Sequence, residues 1–234
     1  MKHLLHRLSL AFRWTLGLLA ASSILAVVAY KFLPVYVTPL MVIRLFQNDE
    51  LRLEHRWVPL SDMSPQMPLA AMGGEDVHFT EHNGFDFDAI GKAMERNRKY
   101  PEKNRLGAST ISQQTAKNVF LWPGRSWLRK GLEAYFTVLI ELFWGKERIM
   151  EVYLNSIETG TGIYGVEAVA QEHFGCTARE LSAAQCALIA ASLPNPRMLN
   201  SKHPGKYMLK RQKQILREMK YLENSYHLLT SPTK

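Results

Sequence analysis

Apolar residues are distributed along this chain in two ways. Between Arg13 and Lys31 they are nearly continuous; beyond Leu60 they recur at helical spacing, without the clear alternation that strands need. Trp14 to Tyr30 carries no charge. A helix over that stretch covers roughly 25 Å, slightly less than the roughly 30 Å core of a bilayer. Apolar character resumes after Lys31 at Phe32, Leu33, Val35, Tyr36 and Val37, so a snorkelling Lys31 extends the expected span over 14–37. Lys2, Arg7 and Arg13 precede it, which assigns residues 1–13 to the cytoplasm and the rest to the outside. A cleavable signal peptide is the competing reading, because Ala20-Ala21-Ser22-Ser23 offers small residues. The hydrophobic sequence continuing past that run, with Trp14 and Tyr30 suited to the interfaces, favours a retained single-pass anchor.

Pro34 and Pro39 break the pattern, and residues 38–60 read as a membrane-proximal connector with a short helix around Leu40 to Phe46. Residues 61–234 form the expected extracytoplasmic domain, mainly α. Periodicity predicts helices over Asp88 to Arg98, Ser109 to Leu121, Ser126 to Trp144, Lys146 to Asn155, Glu167 to His173, Ala178 to Leu193 and Lys206 to Leu222. The apolar runs Ala134 to Trp144 and Ala183 to Leu193 are too short to cross a bilayer, so both are expected as core helices.

Composition narrows the partners. A chain of 234 residues allows one sizeable domain plus an appendage. Its formal charge of +8 calls for an anionic partner. No nucleic-acid motif is present, so that partner is expected to be phosphate on a small or lipid-linked molecule, together with membrane lipid, and not nucleic acid. Cys176 and Cys186 form no CxxC, and the sequence leaves open whether they are bridged or buried thiols.

The chemistry concentrates between Met72 and Glu151. The segment from Glu75-Asp76 to Gly84-Phe85-Asp86 mixes acids, imidazoles, aromatics and a tight turn more densely than a solvated surface usually does. Ser109, Gln113 and Lys117 fall at i, i+4 and i+8, a face offering hydroxyl, amide and ammonium to sugars and phosphate, or simply a solvated helix side. Over Ser126 to Trp144 a narrow polar stripe (Ser126, Arg129 or Lys130, Glu133, Thr137, Glu141) is flanked by apolar side chains all round. Such a helix is expected to be largely buried with its stripe lining a cleft. Glu133 reads equally as a helix ion-pair partner or as a second acid beside Glu75. His78 and His82 are four apart, but HExxH is absent and no metal site is assigned; no G-x-S-x-G occurs either.

Five motifs in order carry a resemblance. They are Glu75-Asp76-x-x-Phe79-x-x-His82-x-Gly84-x-Asp86, then Gly107-x-Ser109-Thr110-Ile111-x-Gln113-Gln114-x-x-Lys117-Asn118, then Arg129-Lys130-x-x-Glu133. Lys146-x-x-Ile149-x-Glu151-x-Tyr153-Leu154-Asn155 and Arg211-x-x-x-Ile215-Leu216 follow. The set closely resembles the peptidoglycan glycosyltransferases, glycosyltransferase family 51, and its length and single anchor resemble the monofunctional branch. Met150 and His173-Phe174-Gly175 are mild departures.

The resemblance implies a two-lobed, lysozyme-like, mainly helical glycosyltransferase domain behind one transmembrane helix in the bacterial inner membrane, facing the periplasm. It implies polymerisation of lipid II into β-1,4-linked glycan by inverting displacement of undecaprenyl diphosphate from a lipid-linked glycan. Glu75 is then the base on the acceptor hydroxyl, with Glu133 the second carboxylate, which orients donor groups or holds a divalent cation such as Mg or Mn; no cofactor is otherwise assigned. Ser109, Thr110, Gln113, Gln114, Lys117, Arg125, Arg129 and Lys130 are the expected substrate-binding residues, with the cations stabilising the leaving diphosphate. Asp76, Phe79, His82, Gly84, Glu151 and Asn155 are expected to support the structure. Proteins of the division or elongation machinery are candidate partners. Two alternatives stay open: a lysozyme-like hydrolase, since one cleft Glu serves either reaction, and a non-catalytic membrane-anchored scaffold.

Overall fold

A computed structural model of the chain describes residues 2–47, 51–102, 106–124 and 126–230. Its mainly helical character bears out the fold class. The first unit, Met1–Pro34, is built on helix α1 (Lys2–Phe32). Within α1, Ser9–Phe32 is 24 residues long with mean hydropathy 1.7, long and apolar enough to cross a membrane. This is the feature a membrane anchor requires.

The second unit, Val35–Lys234, carries everything else. Helix α2 (Pro39–Gln47) starts where the Thr38 hydroxyl accepts from Met41 N, and it buries Leu40 and Met41. Helices α3 (Gln66–Glu75), α4 (Phe87–Lys99), α5 (Ile111–Phe120), α6 (Trp127–Phe143), α7 (Lys146–Ser156), α8 (Val166–Val169), α9 (Ala183–Ser192) and α10 (Lys206–Thr230) follow. Six of them form two packed groups, α3 with α9 and α10, and α5 with α6 and α7.

Helix α3 is absent from the elements that periodicity predicts, and its burial explains why. Met67 to Gly73 are buried without interruption, so no polar face marks the helical period. Small residues let its neighbours come close: a Cβ on Gly73 would lie 3.0 Å from Glu218 Cβ, and one on Gly74 would lie 3.3 Å from Ala190 Cβ. This packing fixes the C-terminal end of α3, and with it Glu75.

Other boundaries shift for local reasons. Helix α5 begins at Ile111 because Thr110 is its N-cap, closed by a capping box with Gln113. Ser109 therefore lies upstream of the helix, not on a shared face with Gln113 and Lys117. The helix expected from Ala178 is interrupted at Leu181-Ser182, where a second capping box (Ser182 with Gln185) starts α9. Helix α8 gives way to a wider turn over Ala170–Phe174, and α10 runs on beyond Leu222. A small sheet was also not foreseen: β1 (Glu54–His55) pairs parallel with β3 (Ile163–Tyr164), and β3 antiparallel with β2 (Glu158–Gly160). Strands of two or three residues are too short to show alternation.

Helix α6 departs most from expectation. Its polar residues Arg129, Glu133 and Thr137 are buried, along with Leu139 and Ile140. Trp127, however, is 93% exposed and Leu142 71% exposed, and Leu128 and Val138 also face outward. The helix is partly inverted, because its polar stripe lines an internal cleft and only part of its wide apolar surface finds a neighbour.

Candidate active site

Glu75 is the last residue of α3 and lines a cavity of about 800 Å³ with Gln114 of α5, the 106–110 segment, residues of α4 and Pro194. Gln114 Nε2 donates to Glu75 Oε2 at 2.8 Å, and Tyr153 Oη of α7 donates to Gln114 Oε1 at 3.3 Å. Burial pushes the Glu75 carboxyl above its ordinary range. The Gln114 hydrogen bond and the charges of Arg211 and Lys117 act against that rise, and Asp76 adds to it. Arg211 is held nearby by a 2.6 Å bond from Nη2 to Gly74 O, so α10 supplies a cation behind the carboxyl. A half-buried carboxyl with a raised pKa and one positioned donor has the character of a general base.

Asp76 points the other way and joins two elements. Its carboxylate accepts from His82 Nε2 at 3.0 Å and from Ile111 N at 2.9 Å, which ties the first turn of α5 to the loop after α3. The Thr110 hydroxyl donates to Gly84 O at 2.6 Å, closing the same junction. Gly84 has φ +89°, and a Cβ there would lie 2.8 Å from Thr137 Cγ2 and 3.0 Å from Glu141 Cγ. Only glycine fits that turn against α6. Phe79 is fully buried beneath the Lys146 ammonium, which also donates to Glu141 Oε1 at 2.7 Å.

A second cavity of about 510 Å³ adjoins the first through Ser109, Gln114 and Pro194, which line both. Lys117, Arg129, Lys130 and Glu133 form one wall. Arg129 Nη1 donates to Glu133 Oε2 at 2.7 Å and its Nε to Gly124 O at 2.8 Å, while Lys130 donates to the other Glu133 oxygen. Lys117 makes no ion pair among the described residues; burial lowers its pKa, and nearby Glu133 only partly opposes the fall. The result is a continuous cleft with a carboxyl at one end and fixed cations at the other.

The structure thus brings Glu75, Ser109, Thr110, Gln114, Lys117, Arg129, Lys130 and Glu133 to one cleft. Arg125 lies outside the described residues. Thr110 and Gln113 spend their polar atoms on the cap of α5, although Thr110 also lines the first cavity. Glu151 accepts from Leu60 N, and Asn155 exchanges two hydrogen bonds with the Val58 backbone, so both hold the 58–60 segment on α7. His78 turns to Glu81 and His82 to Asp76. Among the described residues no three His, Cys, Asp or Glu side chains gather as a metal site. Glu133, the residue considered for a divalent cation, has both oxygens committed to Arg129 and Lys130, so the set does not fit a metal. Cys176 and Cys186 are free thiols, the second buried and pushed up to about 12. Sequence reasoning missed Arg44, Glu158 and Arg197, which also line the second cavity; no motif or period marks them.

A helical domain whose cleft sets a half-buried carboxyl near a bank of cations defines an enzyme of the group-transfer class. Comparison with known proteins gives the family. The model described as "Transglycosylase" matches residues 43–220, and the chain belongs to that family. A protein named "Biosynthetic peptidoglycan transglycosylase" from Bacteroides thetaiotaomicron is 63% identical over 203 residues, 85% of this chain and 81% of that one. A namesake from Caulobacter vibrioides is 56% identical over 197 residues, covering 84% of each chain. Another from Pseudomonas fluorescens is 44% identical over 232 residues, 97% of this chain and 94% of the relative.

Proposed function

We propose that this chain is a peptidoglycan glycosyltransferase that polymerises lipid II in bacterial cell wall synthesis, with Glu75 as the base. Family membership and the shared name of its relatives support the activity. The observation that carries the site assignment is the hydrogen-bonded Glu75–Gln114 pair in one cavity, opening onto Lys117, Arg129 and Lys130 in the next.

In this reading the 4-hydroxyl of the acceptor sugar lies against Glu75, which takes its proton as the oxygen forms a bond to the donor's anomeric carbon. The bond from that carbon to the diphosphate oxygen breaks at the same time, and the electron pair leaves with the lipid diphosphate. Attack opposite the leaving group turns the α-linkage into a β-linkage in a single displacement. Charge grows on the diphosphate as it departs, so cations already fixed in the cleft favour the transition state over the ground state. Hydrolysis of an uncharged glycosidic bond has no use for that cation bank, which disfavours a lysozyme-like role. Helix α1 keeps the enzyme in the bilayer that holds its substrate, raising effective concentration. The basic residues before the span favour a cytoplasmic N-terminus and a periplasmic domain at the inner membrane.

The test is incubation of the purified full chain with lipid II, beside Glu75→Gln. Polymer from the wild type and none from the variant is the expected result. Cleavage of finished glycan without polymer formation, or a Glu75→Gln enzyme that polymerises normally, would overturn the proposal.

A further inference from the structure

Besides Lys117 and Arg129, the second cavity is lined by Arg44 of α2, Glu158 of β2 and Arg197 after α9. Glu158 forms a long ion pair with each arginine. Arg44 Nε stands 3.9 Å from Glu158 Oε2, and Arg197 Nε stands 4.0 Å from Glu158 Oε1, both beyond hydrogen-bonding reach. Glu158 is only 9% exposed, yet its Oε1 is buried with no hydrogen-bond partner; so is Arg44 Nε. The hydroxyl of Tyr164, the residue paired with Glu158 across β2 and β3, is in the same condition. Buried polar groups are rarely left so, and two of them on residues that line one cavity, Arg44 and Glu158, are what a ligand with matching donors and acceptors would complete.

Charge identifies the ligand. The cavity lining includes Arg44, Lys117, Arg129, Lys130 and Arg197 against the carboxylates Glu133 and Glu158, a clear cationic excess. Glu133 is already satisfied by its own two cations. The excess suits a ligand bearing more than one negative charge, and the unpartnered Glu158 oxygen suits a hydroxyl or amide hydrogen beside it. A sugar diphosphate headgroup has both.

We propose that Arg44, Arg197 and Glu158 form a further substrate subsite, in which the two guanidiniums take phosphate oxygens and Glu158 Oε1 accepts from the adjoining sugar. The subsite rests on the reading of the cleft as a lipid diphosphate glycosyltransferase. It gives α2 and β2, outside all the recognised motifs, a share in substrate binding. Glu158 acts here as a spacer as well as an acceptor, holding two like charges on either side of the position a phosphate will occupy.

The experiment uses the full chain in detergent, with undecaprenyl diphosphate as binding probe and lipid II as substrate. Arg44→Met and Arg197→Met are expected to weaken probe binding and raise KM for lipid II by about tenfold each, the worth of one charge-assisted hydrogen bond, with kcat nearly unchanged. Arg44→Lys should recover part of the loss. Glu158→Gln should bind the probe at least as tightly as wild type while its KM for lipid II rises. Wild-type protein provides a check independent of variant folding: phenylglyoxal modification of Arg44 and Arg197, read by mass spectrometry, should slow when the probe is bound. Unchanged Kd and KM in well-folded arginine variants, or modification that the probe does not slow, would overturn the subsite alone. A wild-type chain that binds no undecaprenyl diphosphate would instead overturn the reading of the cleft on which the subsite rests.

Discussion

The Tyr153 hydroxyl donates to Gln114 Oε1, and that contact decides which way the Gln114 amide faces. With its oxygen taken, the amide turns Nε2 toward Glu75. Tyr153 is wholly buried and its pKa is raised well above the ordinary value, chiefly by desolvation, so it stays protonated and remains a donor. Removing the Gln114 donor with Gln114→Leu takes away a bond that favours the charged carboxylate, and the Glu75 pKa should rise further. The acid limb of kcat/KM against pH is expected to move to higher pH, with a rate loss of about tenfold at neutral pH. Tyr153→Phe should give a smaller shift in the same direction. A limb that moves to lower pH would count against Glu75 as the base.

Glu75 is also expected to cost stability. Its folded-state pKa is raised above the ordinary 4.5, so the folded chain holds the proton more tightly than the unfolded one. As pH climbs from the ordinary value through the raised one, the folded state must bury a charge, and stability falls. Glu75→Gln carries no charge and still offers an acceptor to Gln114. Thermal melts should show it more stable than wild type at neutral pH, with the gap closing below the carboxylate range. A less stable variant at neutral pH would contradict the raised pKa.

Glu133 and Lys130 make one ion pair yet should differ sharply when mutated. Glu133→Gln leaves Arg129, which is 8% exposed, without its charge partner, and urea unfolding should report a loss of about 3 kcal/mol. The Lys130 side chain is 43% exposed, so Lys130→Met should cost less than about 1 kcal/mol. Under the proposed mechanism its effect falls on the leaving group, as a lower kcat. Equal stability losses would mean that Glu133 is not held as the geometry has it.

Two glycines separate steric need from chance. Gly84→Ala forces a side chain into a positive-φ position against Thr137 and Glu141, and should cost about 2 kcal/mol or more. Gly91, inside α4 with nothing near its would-be Cβ, should gain roughly 0.5–1 kcal/mol on change to Ala. Chemical denaturation of the two variants gives the comparison directly.

Much of this architecture was legible in the residues. Helices α4, α6 and α7 lie within a residue or so of where periodicity and stop signals put them. What escaped was what has no local signature. Helix α3 is buried on all sides and so shows no amphipathic period, although it carries Glu75. Thr110 reads as a binding residue until its cap geometry is seen, and that cap removes Ser109 from the helix face it seemed to share. Glu158 and Arg44 meet only because a three-residue strand and a short helix come together across more than a hundred positions of chain. Nearby spacing in sequence cannot encode that encounter.

Helix α6 has a practical consequence. Because Arg129 and Glu133 look inward and Trp127, Leu128, Val138 and Leu142 look outward, chemistry and colloidal behaviour are written on opposite faces of a single helix. Deleting α1 removes the most apolar segment but leaves this greasy outer face in place. A truncated domain thus keeps its appetite for detergent, and the route to a tractable reagent runs through polar substitutions on that face, where the catalytic machinery does not reach.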